Sequence, residues 1–69
     1  MSKFIRGMNK NYIEISGQKK HETDRAILFF DGKKEIWLPK SQIEDLEERG
    51  KGVIIVTIPE WLAVDKELI

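Results

Sequence analysis

Three observations predict a small α+β protein, mostly β, in which a bent antiparallel sheet of about four strands carries a short helical turn and a C-terminal helix. Apolar residues alternate through residues 12–16, Asp31-Gly32 divides two β-prone runs, and Pro59 opens an amphipathic segment after a β-branched run at 53–58. A chain of 69 residues has room for one domain and one core, and buries only about 60% of the surface its unfolded form exposes. Residues 1–69 are therefore read as a single domain.

The elements follow in order. Residues 1–11 mix Phe4, Ile5 and Met8 with Gly7 and two Asn and hold no sustained period, so this segment is an arm or a first edge strand. From Tyr12 the pattern alternates: Ile13 and Ile15 point one way, and Tyr12, Glu14 and Ser16 the other. Gly17 permits a bend or bulge, and Glu22-Thr23-Asp24 reads as a turn.

Residues 25–38 form a β-hairpin around Asp31-Gly32. A two-residue loop would pair Phe30 with Lys33, Ile27 with Ile36 and Ala26 with Trp37. A four-residue loop shifts those pairs but keeps every side chain on its face, because a slip of two preserves the pleat. Ile27, Phe29, Ile36 and Leu38 then share the core face, and Ala26, Leu28, Phe30, Glu35 and Trp37 the other.

Pro39 ends this strand. Ser41-Gln42-Ile43-Glu44 matches a capping box, which favours a helix of about two turns over residues 42–49, with Ile43 and Leu46 as its apolar stripe and Gly50 as its stop; a loop is the alternative. The run from Val53 to Ile58 is apolar on both faces until Thr57 and needs cover on both sides. Pro59 suits a first helical position, and Trp61, Leu62, Val64 and Leu68 give an amphipathic segment of about ten residues. Together these elements describe a bent sheet or SH3-like partial barrel closed by the C-terminal helix.

Composition closes off several chemistries. There is no Cys and one His, so neither a disulfide framework nor a His-rich or Cys-based metal site is expected. His21 beside Glu22 and Asp24 reads as an exposed turn histidine in preference to a general base. Ser2, Ser16 and Ser41 lack a nucleophile context, and the acidic cluster lacks the alternating ligands of a calcium loop. No enzyme, cofactor or metal is expected. The longest apolar runs, 26–30 and 53–56, fall far short of the roughly 20 residues that span a bilayer. Lys3 and Arg6 precede no apolar stretch, so no secretory signal is expected and the cytoplasm is the default.

Twelve basic and twelve acidic residues cancel, but not locally. Up to Lys40 there are nine basic against five acidic residues, and from Ser41 onward three against seven. The acidic residues Glu44, Asp45, Glu47 and Glu48, together with Trp37, are the candidates for contact with a protein partner. Trp61 is expected in the core, whereas Trp37 stands evenly between a covered position and an exposed aromatic patch. An alternative surface uses Lys19, Lys20, Arg25, Lys33, Lys34 and Lys40 with Phe30 and Trp37 to stack on and hold single-stranded nucleic acid. Overall neutrality weighs against that alternative. Edge strands and a thin core make a homodimer a further expectation.

Two strings, Ile36-Trp37-Leu38-Pro39-Lys40-Ser41-Gln42-Ile43-Glu44 and Val56-Thr57-Ile58-Pro59-Glu60-Trp61-Leu62-Ala63, resemble a family of small uncharacterised phage, prophage and bacterial proteins. The resemblance covers residues 13–68. It implies a phage or mobile-element setting and a small adaptor, regulator or anti-defence inhibitor, with no activity to carry over. The leading expectation is a non-enzymatic protein-binding factor.

Overall fold

The computed structural model describes residues 12–69 and the backbone of residues 5–9. Among these residues, six strands, a single 3-10 turn and one helix follow in the order β1 (Ile5–Asn9), β2 (Tyr12–Glu22), β3 (Ala26–Phe30), β4 (Glu35–Pro39), the turn Lys40–Gln42, β5 (Asp45–Glu48), β6 (Val53–Pro59) and α1 (Glu60–Asp65). The fold is mostly β with a short helical turn and a C-terminal helix, as the sequence predicts. The sheet is antiparallel and open, in the order β4-β3-β2-β6-β5, with β1 on β2. β1 and β5 raise the strand count above the expected four. Of the 1–11 segment, residues 5–9 form an edge strand on β2, and the remainder lies outside the described residues.

β2 organises the molecule. Its residues 12–18 pair with β6 from Pro59 back to Val53, and its other edge receives β1 along 12–15 and β3 along 18–22. A register shift between Lys19 and His21 bends its far half, where β3 is the partner. Just before that stretch lies Gly17, against which the Phe29 ring packs too closely for any side chain.

The core sits on one face: Ile13 and Ile15 of β2, Ile27 and Phe29 of β3, Leu38 of β4, and Ile54, Val56 and Ile58 of β6, capped by Leu62, Ala63 and Leu68. Ile36, Ile43 and Leu46 pack against it partly buried. The hairpin takes the four-residue loop, with Phe30 opposite Glu35, Leu28 opposite Trp37 and Ile27 opposite Leu38. Asp31 imposes that loop, because its carboxylate accepts the N–H groups of Lys33 and Lys34 at 2.8 and 2.9 Å. The division of faces is the one read from the sequence.

Two expectations are corrected. Residues 42–49 are not a helix: after the single 3-10 turn, residues 45–48 form β5 on the edge of β6, with Leu46 opposite Val56. Ser41 makes no capping hydrogen bond, since the turn starts from Pro39 with no side-chain cap. Gly50 does not stop a helix either. Gly50, Lys51 and Gly52 all have positive φ (87°, 56° and 82°) and reverse the chain directly onto β6. The β6 edge supplies a ladder and an apolar neighbour for Leu46, which two isolated turns of helix could not match.

Trp61 is not core; it is 59% exposed. The helix is six residues long and starts from Pro59, its N-cap. It buries Leu62 and Ala63, so positions 61, 64 and 65, which share the opposite side at helical spacing, face outward. Leu68 completes the apolar contact from beyond the helix end. Its N–H donates to the Ala63 carbonyl at 2.7 Å while Glu67 N–H donates to the Val64 carbonyl, the paired bonds of a Schellman motif.

Candidate docking surfaces and charge distribution

Alternation along β2, β3 and β4 places one set of side chains away from the core. Because the bulge at residues 19–21 resets the register, His21 stands opposite Leu28, and Leu28 in turn stands opposite Trp37. These three form a row across the outward face of three strands. The His21 and Trp37 rings meet edge to face, with centroids 6.1 Å apart and planes at 87°. Trp37 is 45% exposed, so of its two expected positions it takes the exposed aromatic patch. Beside the row, the Lys20 ammonium lies 5.1 Å from the centre of the Phe30 ring.

The basic and acidic halves of the chain fold against each other. Across the division Lys19 reaches Glu48 at 3.2 Å and Lys34 reaches Glu67 at 3.2 Å, while within the basic half Glu22 takes Lys19 at 2.9 Å and Lys40 at 2.6 Å. Lys40, and secondarily Lys19, hold the Glu22 carboxyl down to about 2. The same contacts, chiefly from Glu22 and then Glu48, raise the Lys19 ammonium above its ordinary value. Three of the six candidate nucleic-acid cations are thus engaged with carboxylates, and a fourth, Lys20, covers the ring of Phe30. Arg25 and Lys33 stand exposed at the two ends of the β3–β4 hairpin.

The acidic candidates do not form one helix face. Strand alternation separates them: Asp45 and Glu47 point outward from β5 with Thr57 and Ile55 as their cross-strand partners. Glu48 turns to Lys19, Glu47 pairs with Arg49 at 3.0 Å, and Glu44 sits at the strand entry, where its N–H donates to the Thr57 carbonyl at 2.8 Å. Among the described residues no group of three or more His, Asp or Glu side chains is placed to hold a metal ion, and no helix is long and apolar enough to cross a membrane.

A second surface is not legible in the sequence. Tyr12 and Pro59 are cross-strand partners at the end of β2 and β6. With Gln42 from the 3-10 turn and Glu60 and Trp61 from the start of α1, they line an open groove of about 460 Å³. The string Pro59-Glu60-Trp61 is visible in the chain, but its pairing with Tyr12 depends on a long-range register that no local signal gives.

Compared with protein-family models, curated proteins and solved structures, the chain matches none. Its geometry therefore carries the functional reading.

Proposed function

We propose that this chain is a non-enzymatic protein-binding module that works by stoichiometric contact, with Trp37 at the centre of its docking face. The observation that carries this reading is the row His21, Leu28, Trp37 on the outward face of β2, β3 and β4, where a large aromatic side chain stands half exposed on a sheet. Aromatic anchors of this kind dominate the energy of protein interfaces. The charge distribution favours a protein over a nucleic acid, because Lys19, Lys34 and Lys40 already face carboxylates and are poorly placed to neutralise phosphates. A phage or mobile-element setting, with a host defence protein as target, rests on the motif resemblance alone.

The test is a peptide-display selection on the immobilised protein and on Trp37→Ala, paired with titration of single-stranded DNA and RNA at low salt. Sequences enriched by the wild type and lost with Trp37→Ala, at unchanged melting temperature, support the reading. Equal enrichment on both proteins, or salt-sensitive oligonucleotide binding that quenches Trp emission, overturns it.

A further inference from the structure

The groove between β2, β6 and α1 has a chemistry of its own, separate from the Trp37 face. We infer that Tyr12, Pro59 and Trp61 form a second docking site, for an extended, proline-containing peptide that carries a basic residue.

The groove is built. Tyr12 is tied into the sheet on both sides, opposite Asn9 of β1 and Pro59 of β6. Trp61 is held in place despite its exposure, because the next two residues, Leu62 and Ala63, are buried in the core. Pro59 contributes a ring and no N–H to the floor. An added strand cannot pair with β2 here, since both of its edges are taken at this point.

The polar groups in the groove select the backbone of the occupant. The Tyr12 hydroxyl, the Trp61 indole N–H and the Gln42 amide can all donate, and none is hydrogen-bonded among the described residues. A polyproline II segment presents the complementary surface. Its carbonyls have no internal partner, its prolines lack N–H groups, and its rings pack flat on Tyr and Trp faces.

Charge selects the flanking residue. Among the described residues that line the groove none is basic, Glu60 lines it, and Asp45 points outward opposite Thr57, one side-chain position along the same face from Pro59. An Arg or Lys beside the prolines meets these carboxylates, whereas a phosphate backbone is repelled.

The experiment is a titration of the 15N-labelled full chain with three synthetic peptides: a proline-rich peptide with a flanking Arg, the same peptide with Glu in place of Arg, and one with Gly and Ser in place of every Pro. The two Trp indole N–H resonances, assigned with Trp61→Phe, read the two surfaces separately. The Arg peptide is expected to shift the Trp61 signal saturably while leaving that of Trp37 in place. The Glu peptide should bind about fivefold more weakly, the scale of one or two exposed ion pairs, and the Gly-Ser peptide should not bind. In Trp61→Ala, whose melting temperature serves as the folding control, calorimetric binding of the Arg peptide should vanish. An unmoved Trp61 resonance, equal affinity for the Arg and Glu peptides, or equal binding of the Gly-Ser peptide overturns the proposal. Because Trp37 reports separately, loss of this site leaves the Trp37 reading standing, and the converse holds.

Discussion

The Phe29 ring occupies the space in which a side chain at Gly17 would lie. A Cβ placed on Gly17 would come within 2.5 Å of Phe29 Cζ and within 2.5 Å of the Phe30 carbonyl oxygen. The ring is fully buried and the carbonyl belongs to the backbone of β3, so neither can yield cheaply. Gly17→Ala is expected to destabilise the fold by about 3 kcal/mol, the upper range of overpacking costs. Against the roughly 3–5 kcal/mol that one small core supplies, much of the population should unfold at ambient temperature. Gly32→Ala is the control, with open space around it but a φ of 102°, and should cost about 1 kcal/mol. Urea unfolding of the two variants checks the contrast; near-identical midpoints would show that the approach of Phe29 does not constrain β2.

At the other end of the chain the backbone carries strain in place of a steric limit. Glu67 has φ 60° at the position of the terminal Schellman motif that glycine usually fills. Its ion pair with Lys34 is a weak counterweight, since the Glu67 side chain is 83% exposed. Glu67→Gly should therefore stabilise the protein by about 1 kcal/mol, the cost of holding an L-residue in the left-handed region. Thermal unfolding measures it, and a lowered midpoint would mean that the Lys34 contact outweighs the backbone term.

The helix separates its two neighbouring large side chains. Leu62 is buried against the sheet, whereas Trp61 faces solvent. Leu62→Ala is expected to cost about 3 kcal/mol through lost transfer energy and the cavity left behind, while Trp61→Ala should change stability by less than about 0.5 kcal/mol. Chemical denaturation of both variants decides between this arrangement and a core Trp61, which would reverse the order.

Local pattern settles some of these features and long-range pairing settles the others. The faces of the hairpin at residues 26–39 are legible in the sequence because a pleat of period two tolerates a register slip of two. Even an unknown loop length leaves Ile27, Phe29, Ile36 and Leu38 together. The stretch at 42–49 is not legible. A capping box and two apolar residues at i and i+3 fit a helix as well as an edge strand, and what decides is the free edge of β6, reached only after the reversal at residues 50–52. Trp61 departs from its expected place for a related reason. Its size argues for burial, but the phase of α1 is set by the pair Leu62 and Ala63 together with Leu68, which returns from beyond the helix end. Of the site residues, Trp37 is legible as a candidate from its face, while the Tyr12–Pro59 groove requires the β2–β6 register.

The basic half of the chain neutralises part of its own charge at Glu22. Its carboxyl accepts from both Lys19 and Lys40, and Lys19 also bridges to Glu48 on β5. A folded pKa of about 2, below the ordinary value of 4.5, means that the folded state binds fewer protons than the unfolded state as pH falls. The contribution of this carboxylate to stability is therefore complete above about pH 4.5 and fades as pH descends towards 2. Lys19 acts at the opposite end: its folded value lies above 10.5, so its contribution is complete below that pH and is lost as pH rises through the higher value. All three side chains contact solvent, so added salt should weaken both effects. A carbon-detected NMR titration is expected to place the Glu22 midpoint well below the ordinary 4.5, and Lys40→Ala should return it part of the way towards that value, since Lys40 is its strongest partner. A Glu22 midpoint indistinguishable from the free value in the wild type would show that the cluster of Lys19, Glu22 and Lys40 does not form in solution.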